Sequence, residues 1–95
     1  MTTHVVMFRL ADQGDVDEAI LRLRGLAGRI PTLDSIEVGR DANRGPAAYD
    51  LVLVSRHDDQ DALRAYAEHP IHLEVVAWMK SRVTDRAVVD TDDLG

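Results

Sequence analysis

Apolar and polar positions along the chain switch between two periods. From Thr3 to Leu10 they alternate, with His4, Val6, Phe8 and Leu10 on one side and Val5, Met7 and Arg9 on the other, which predicts a strand with apolar residues on both faces. Asp15 followed by Glu18 three positions later has the form of a capping box. Val16, Ala19, Ile20, Leu23, Ala27 and Ile30 then recur at spacings of three and four, predicting a helix that runs to about Pro31. Period two returns at Ser35–Arg40 and at Tyr49–Arg56, separated by the turn-forming run Asp41-Ala42-Asn43-Arg44-Gly45-Pro46, so these two segments predict an antiparallel hairpin. In the second of them Tyr49, Leu51 and Leu53 alternate with Val52 and Val54, the mark of a central strand.

The run Asp58-Asp59-Gln60-Asp61 offers capping side chains to a further helix, whose buried side is Ala62, Leu63, Tyr66 and Ala67. Pro70 cannot continue that helix but suits the first turn of another, so a bend is expected at His69-Pro70 and a helix from there to about Ser81. Arg82–Asp90 supplies a fourth strand, and Thr91 to Gly95 is expected to be a loose tail. The order strand, helix, strand, strand, helix, strand predicts an α+β fold, a ferredoxin-like βαββαβ protomer with a four-stranded antiparallel sheet, over a single domain 1–95.

Helices can cover only one face of that sheet, while the strands are apolar on both. A chain of 95 residues buries only about 64% of its surface when folded alone. A second copy packed face to face would cover the remainder and give a dimeric α/β barrel, in which the interior, or the space between sheet and helices, can hold a small ligand. The alternative is a monomer with a looser core.

Composition narrows the function classes. A formal net charge of −6, with arginines dispersed among acids, disfavours nucleic acid. The absence of cysteine removes disulfides, thiolate metal sites and a cysteine nucleophile. No run approaches a membrane span and the first residues lack the features of a secretory signal, so a cytoplasmic location is expected.

The residues that can carry chemistry gather late in the chain. On a helical wheel for Pro70–Ser81, Ile71, Val75, Val76, Trp78 and Met79 form one arc and His72 falls inside it. Two readings stay open for His72: a core histidine bonded to backbone or water, or a neutral imidazole that accepts a proton from a substrate. Tyr66 lies on the buried side of the preceding helix, and His4 begins a strand under the same region. The three can converge, with the phenol donating to a carbonyl oxygen; the other reading makes Tyr66 a packing residue with its hydroxyl at an edge. His69 and His72 have i, i+3 spacing, but Pro70 interrupts it, so no metal is expected and His69 reads as a helix-end residue bonding backbone at the bend. His57 reads as exposed. No phosphate-cradling loop is present, and Ser35, Ser55 and Ser81 lack the flanking glycines of a nucleophile elbow.

Several segments together resemble the stress-responsive dimeric α/β-barrel (Dabb) family: His4-Val5-Val6-Met7-Phe8-Arg9-Leu10, Ile30-Pro31 with Val38-Gly39, Tyr49-Asp50-Leu51-Val52-Leu53, Tyr66-Ala67-Glu68-His69-Pro70-Ile71-His72 and Val88-Val89-Asp90. The resemblance implies a ferredoxin-like protomer, a homodimeric barrel and a small stress-associated or ligand-binding protein. A plant member of that family closes a polyketide by aldol condensation without a cofactor. Its acid-base pair matches Tyr66 and His72, its strand-initial histidine matches His4, and its further pocket histidine is replaced here by Leu51. Some relatives carry magnesium at the dimer, and this chain offers no evident ligands for it.

The expected ligand contacts are therefore His4, Val6, Leu51, Tyr66, His69, His72 and Val76, around a small apolar or carbonyl-containing molecule, with no cofactor. Three functions follow: a ligand-binding or stress-associated dimer, a cofactor-independent cyclase or isomerase using His72, Tyr66 and His4, and, by fold analogy, a dimeric-barrel oxygenase.

Overall fold

The four alternating segments form the strands of a single antiparallel sheet in the computed structural model, which describes all 95 residues. They are β1 (Thr2–Leu10), β2 (Ser35–Arg40), β3 (Leu51–His57) and β4 (Val83–Thr91), arranged in the order β2-β3-β1-β4. The helices α1 (Val16–Arg24), α2 (Gln60–Glu68) and α3 (Pro70–Lys80) all pack on one face, which is the ferredoxin-like arrangement. The resulting slab is only 18 Å thick along its shortest axis, the depth of one sheet and one helical layer. No helix is long and apolar enough to cross a membrane.

Register places the side chains. Across the helix-facing side run the rows Val38-Leu53-Val6-Val88 and Ile36-Ser55-His4-Asp90. Val6, Leu53 and Val38 enter the core with Ile20, Leu23, Leu26, Tyr66 and Met79. Across the opposite side run Glu37-Val54-Val5-Val89 and Gly39-Val52-Met7-Ala87, and no element of the chain covers them. Met7, Val52 and Val89 there are exposed.

Local chemistry departs from expectation at several points. A short 3-10 turn over Gln13–Asp15 precedes α1, and the capping carboxylate is Asp12, which accepts the Gly14 N–H at 2.8 Å. Asp15 caps nothing with its side chain and instead faces Arg82 at 3.7 Å, while Glu18 pairs with Arg22, so the capping box is not formed. α1 stops at Arg24 rather than near Pro31. Gly25 ends it, and Gly28 takes a φ of +74°, a left-handed conformation open to glycine. The chain reaches Ile30 through turns that bury Leu26 in place of Ala27, which is exposed.

β3 begins at Leu51, two residues later than the alternation predicts. Asp50 interrupts the edge: its buried carboxylate accepts the Leu10 N–H at 2.7 Å and an Arg44 N–H at 3.0 Å. Tyr49 lies outside the strand with the Arg9 guanidinium over its ring. The tail is also held. Thr91 belongs to β4, the Thr2 hydroxyl donates to the Asp92 carboxylate at 2.5 Å, and Thr91 donates to Asp93 at 2.7 Å.

Between α2 and α3 the chain turns at His69, which closes one helix and caps the next. Its Nδ1 accepts the Ile71 N–H at 3.1 Å, and Pro70 occupies the first turn of α3, where its missing N–H costs no hydrogen bond. At the start of α2, Asp59 accepts the Ala62 N–H at 2.8 Å.

Candidate functional site

The bend at His69 sets α3 at an angle that leaves a cavity of about 490 Å³ between the helices and the β1–β4 side of the sheet. Its walls are mostly apolar, from Val6, Phe8, Leu23, Leu53, Val75, Val76 and Met79, and its polar groups are His4, Tyr66, His72, Lys80 and Arg86. A smaller, more polar space adjoins it, and His4, Tyr66, His72 and Arg86 border both.

Tyr66 is the centre of this junction. Its ring is 4.4 Å from that of His72, 4.8 Å from that of His57 and 6.4 Å from that of His4, centroid to centroid. The residue is 1% exposed, no protein group hydrogen-bonds its hydroxyl, and no fully buried side-chain oxygen lacks a partner. The hydroxyl is therefore the part of the side chain that reaches open space. Burial pushes its pKa up to about 12, against a weaker opposing pull from Arg86, so the phenol keeps its proton and acts as a donor.

His72 projects from the first turn of α3. Its Nδ1–H donates to the Ala67 carbonyl at 2.9 Å, which fixes the tautomer and leaves Nε2 as a free acceptor at the cavity. Burial lowers its pKa, the Ala67 bond opposing and the neighbouring His4, Arg86 and His57 reinforcing. The imidazole is neutral near pH 7. His4 is held in a similar way: Nδ1–H donates to the Asp90 carboxylate at 2.5 Å, the two residues being opposite each other across β1 and β4.

His57 corrects the expectation of an exposed residue, for it is 0% exposed. Its Nδ1–H donates to the Thr32 carbonyl at 2.7 Å and its Nε2 accepts the Ser55 hydroxyl at 2.8 Å. Burial lowers its pKa, with the Thr32 bond acting the other way. Both nitrogens are occupied, so His57 supports the Tyr66 ring and has no proton to exchange with a ligand. The signal was its position: as the last residue of β3 it continues the face of Leu51, Leu53 and Ser55, and the acidic residues after it start a helix that covers it.

Of the expected ligand contacts, His4, Val6, Tyr66, His72 and Val76 border the cavity. Leu51 and His69 do not. Leu51 is a core residue one row further along β3, where Leu53 holds the cavity position, and the His69 ring is turned to the α3 backbone. Arg86 and Lys80 were not anticipated. Arg86 stands opposite Phe8 and shares the face of Val88 and Asp90, so the β4 alternation carried the signal once the register with β1 was known. No three His, Asp or Glu side chains of the chain converge as metal ligands.

The family model of the Stress responsive A/B Barrel Domain (Dabb) matches residues 2–93. An uncharacterized protein of Streptomyces coelicolor is 36% identical over 89 residues, covering 88% of this chain and 92% of that protein. Among solved structures, a dimeric protein of unknown function with a ferredoxin-like fold from Bacteroides fragilis superimposes with a TM-score of 0.86 at 27% identity, covering 97% of this chain and 95% of that one. A dimeric ferredoxin-like protein of unknown function from Thermobifida fusca gives 0.83 at 30% identity, over 95% of this chain and 88% of that one.

Proposed function

The chain belongs to the stress-responsive A/B barrel domain family, and from that premise we propose that it works as a homodimer in which each protomer binds a small, largely apolar molecule in the cavity between sheet and helices. The dimeric relatives and the uncovered rows of Val54-Val5-Val89 and Val52-Met7-Ala87 support the assembly. The carrying observation for binding is the Tyr66 hydroxyl, a polar atom without a protein partner at the wall of an apolar chamber. A ligand oxygen is what would complete it. An NMR titration with a neutral alkyl aryl ketone tests this. Shifts at Tyr66, His72, Val6 and Met79 are expected; no shifts, or shifts confined to the Met7 face, overturn it.

A second reading is favoured by the pairing of that donor with a free base. His72 Nε2 would take a proton from the carbon next to a carbonyl, while the Tyr66 O–H donates to the carbonyl oxygen as it gains negative charge. This makes a cofactor-independent cyclase or isomerase, with His4 held by Asp90 as a further candidate for proton transfer. His72→Ala separates the two readings, since binding alone tolerates the substitution and turnover does not. The oxygenase reading rests on fold analogy, and no side chain of the cavity favours it. A role in stress tolerance rests on the family's name.

A further inference from the structure

The apolar cavity has a cation at its polar end that nothing in the chain neutralises. Arg86 borders both the large chamber and the smaller polar space, beside Tyr66, His72 and His4. The other charged groups around that junction are already engaged: Asp90 holds His4, and Arg64 pairs with Asp61 at 2.9 Å. Arg86 forms no ion pair, and neither does Lys80 at the opposite rim. In a chain with a net charge of −6, two unpaired cations on one mostly apolar cavity are not explained by general charge balance.

We propose that the ligand of this cavity is an amphipathic monoanion, an apolar body bearing a carboxylate, whose carboxylate is bound by Arg86 while the body lies against Val6, Leu53, Val76 and Met79. This rests on the binding reading above and specifies its ligand. The guanidinium matches a planar carboxylate through two parallel N–H bonds, which a lysine or a neutral donor does not reproduce. The Tyr66 hydroxyl and His72 Nε2 are then left for a second oxygen of the same molecule, a ketone or hydroxyl near the acid.

Paired probes of one shape test this: 4-hexylbenzoate and 4-hexylbenzamide, titrated by calorimetry against the full-length protein, its Arg86→Gln variant and its Val76→Trp variant. The benzoate is expected to bind at least tenfold more tightly than the benzamide to the wild type, the scale of a charge-assisted pair. Arg86→Gln should remove that preference and leave benzamide affinity within about twofold. Arg86 is exposed on an edge strand, so the variant keeps its fold, checked by circular dichroism. Equal binding of the two probes to the wild type, or a preference that survives Arg86→Gln, overturns the anion proposal while leaving the cavity reading intact. Binding of both probes undiminished by Val76→Trp, or binding of neither, overturns the cavity reading and the anion proposal together.

Discussion

The rings of Tyr66 and His72 meet at 4.4 Å with a tilt of 47°, although they belong to different helices on either side of the His69 bend. The contact depends on that bend, and it brings a phenol held protonated beside an imidazole held neutral. Tyr66→Phe removes only the hydroxyl. Because that oxygen bonds nothing in the protein, stability should change by no more than about 0.5 kcal/mol. Under the acid-base reading, kcat on a carbonyl substrate falls by about a hundredfold, the usual effect of losing one donor to a developing oxyanion. Thermal unfolding and initial rates measured on the same preparation check both halves.

His57→Ala should behave in the opposite way. It strands the Thr32 carbonyl and the Ser55 hydroxyl and opens space against the Tyr66 ring. Lost hydrogen bonds and a cavity together predict a destabilisation of about 2–4 kcal/mol in urea unfolding. Full stability in the variant would mean that the histidine is not a structural post.

The contrast between these two residues marks where the sequence was informative. Period two located β1, β2 and β3, and spacings of three and four located α1 and the buried faces of α2 and α3, because burial of one face imposes those spacings. Asp59 and Pro70 announced the starts of α2 and α3 through chemistry that acts within four residues. Other features depend on partners far along the chain. His57 looks exposed beside Asp58 and Asp59, and only α2 folding back, with Thr32 25 residues away, makes it buried. Asp50 delays the start of β3 because its carboxylate satisfies the backbone of Leu10, 40 residues before it. Likewise His72 and Tyr66 were legible as a pair from their helical faces, whereas Arg86 needed the β1–β4 register, which a local pattern does not contain.

Stability should fall on mild acidification. Burial lowers the pKa of both His57 and His72, so between their folded values and the ordinary 6.5 the unfolded chain binds more protons than the native one. Stability is then complete above about pH 6.5 and declines as pH drops below it. Asp50 acts in a separate window. Burial raises its pKa, but the bonds from the Leu10 N–H, Gln13 and Arg44 together outweigh burial and lower it below 3.8, so its contribution is complete above the ordinary carboxylate range and is lost progressively as pH falls from 3.8 to that lowered value. The urea midpoint should decline from pH 7 to 5, and His57→Gln should flatten part of that decline. A midpoint independent of pH over that range contradicts the buried neutral histidines.

Dimer formation is testable at Met7. It stands in the uncovered row Val52-Met7-Ala87, next to the row Val54-Val5-Val89, on a central strand of the sheet. If a second copy covers this face, Met7→Glu places a carboxylate in an interface built mainly from Val5, Val52, Val54, Ala87 and Val89, a penalty of several kcal/mol for each buried charge left unpaired. The native protomer leaves Met7 39% exposed, so the same substitution costs an isolated chain little. The variant should therefore be a folded monomer by light scattering at micromolar concentration, where the wild type has a two-chain mass. Its unfolding temperature should not depend on concentration, while that of the wild type rises as the protein is concentrated. His72→Ala, on the other face, should remain dimeric. A wild type of single-chain mass, or a Met7→Glu protein that stays dimeric, would remove this face from the interface.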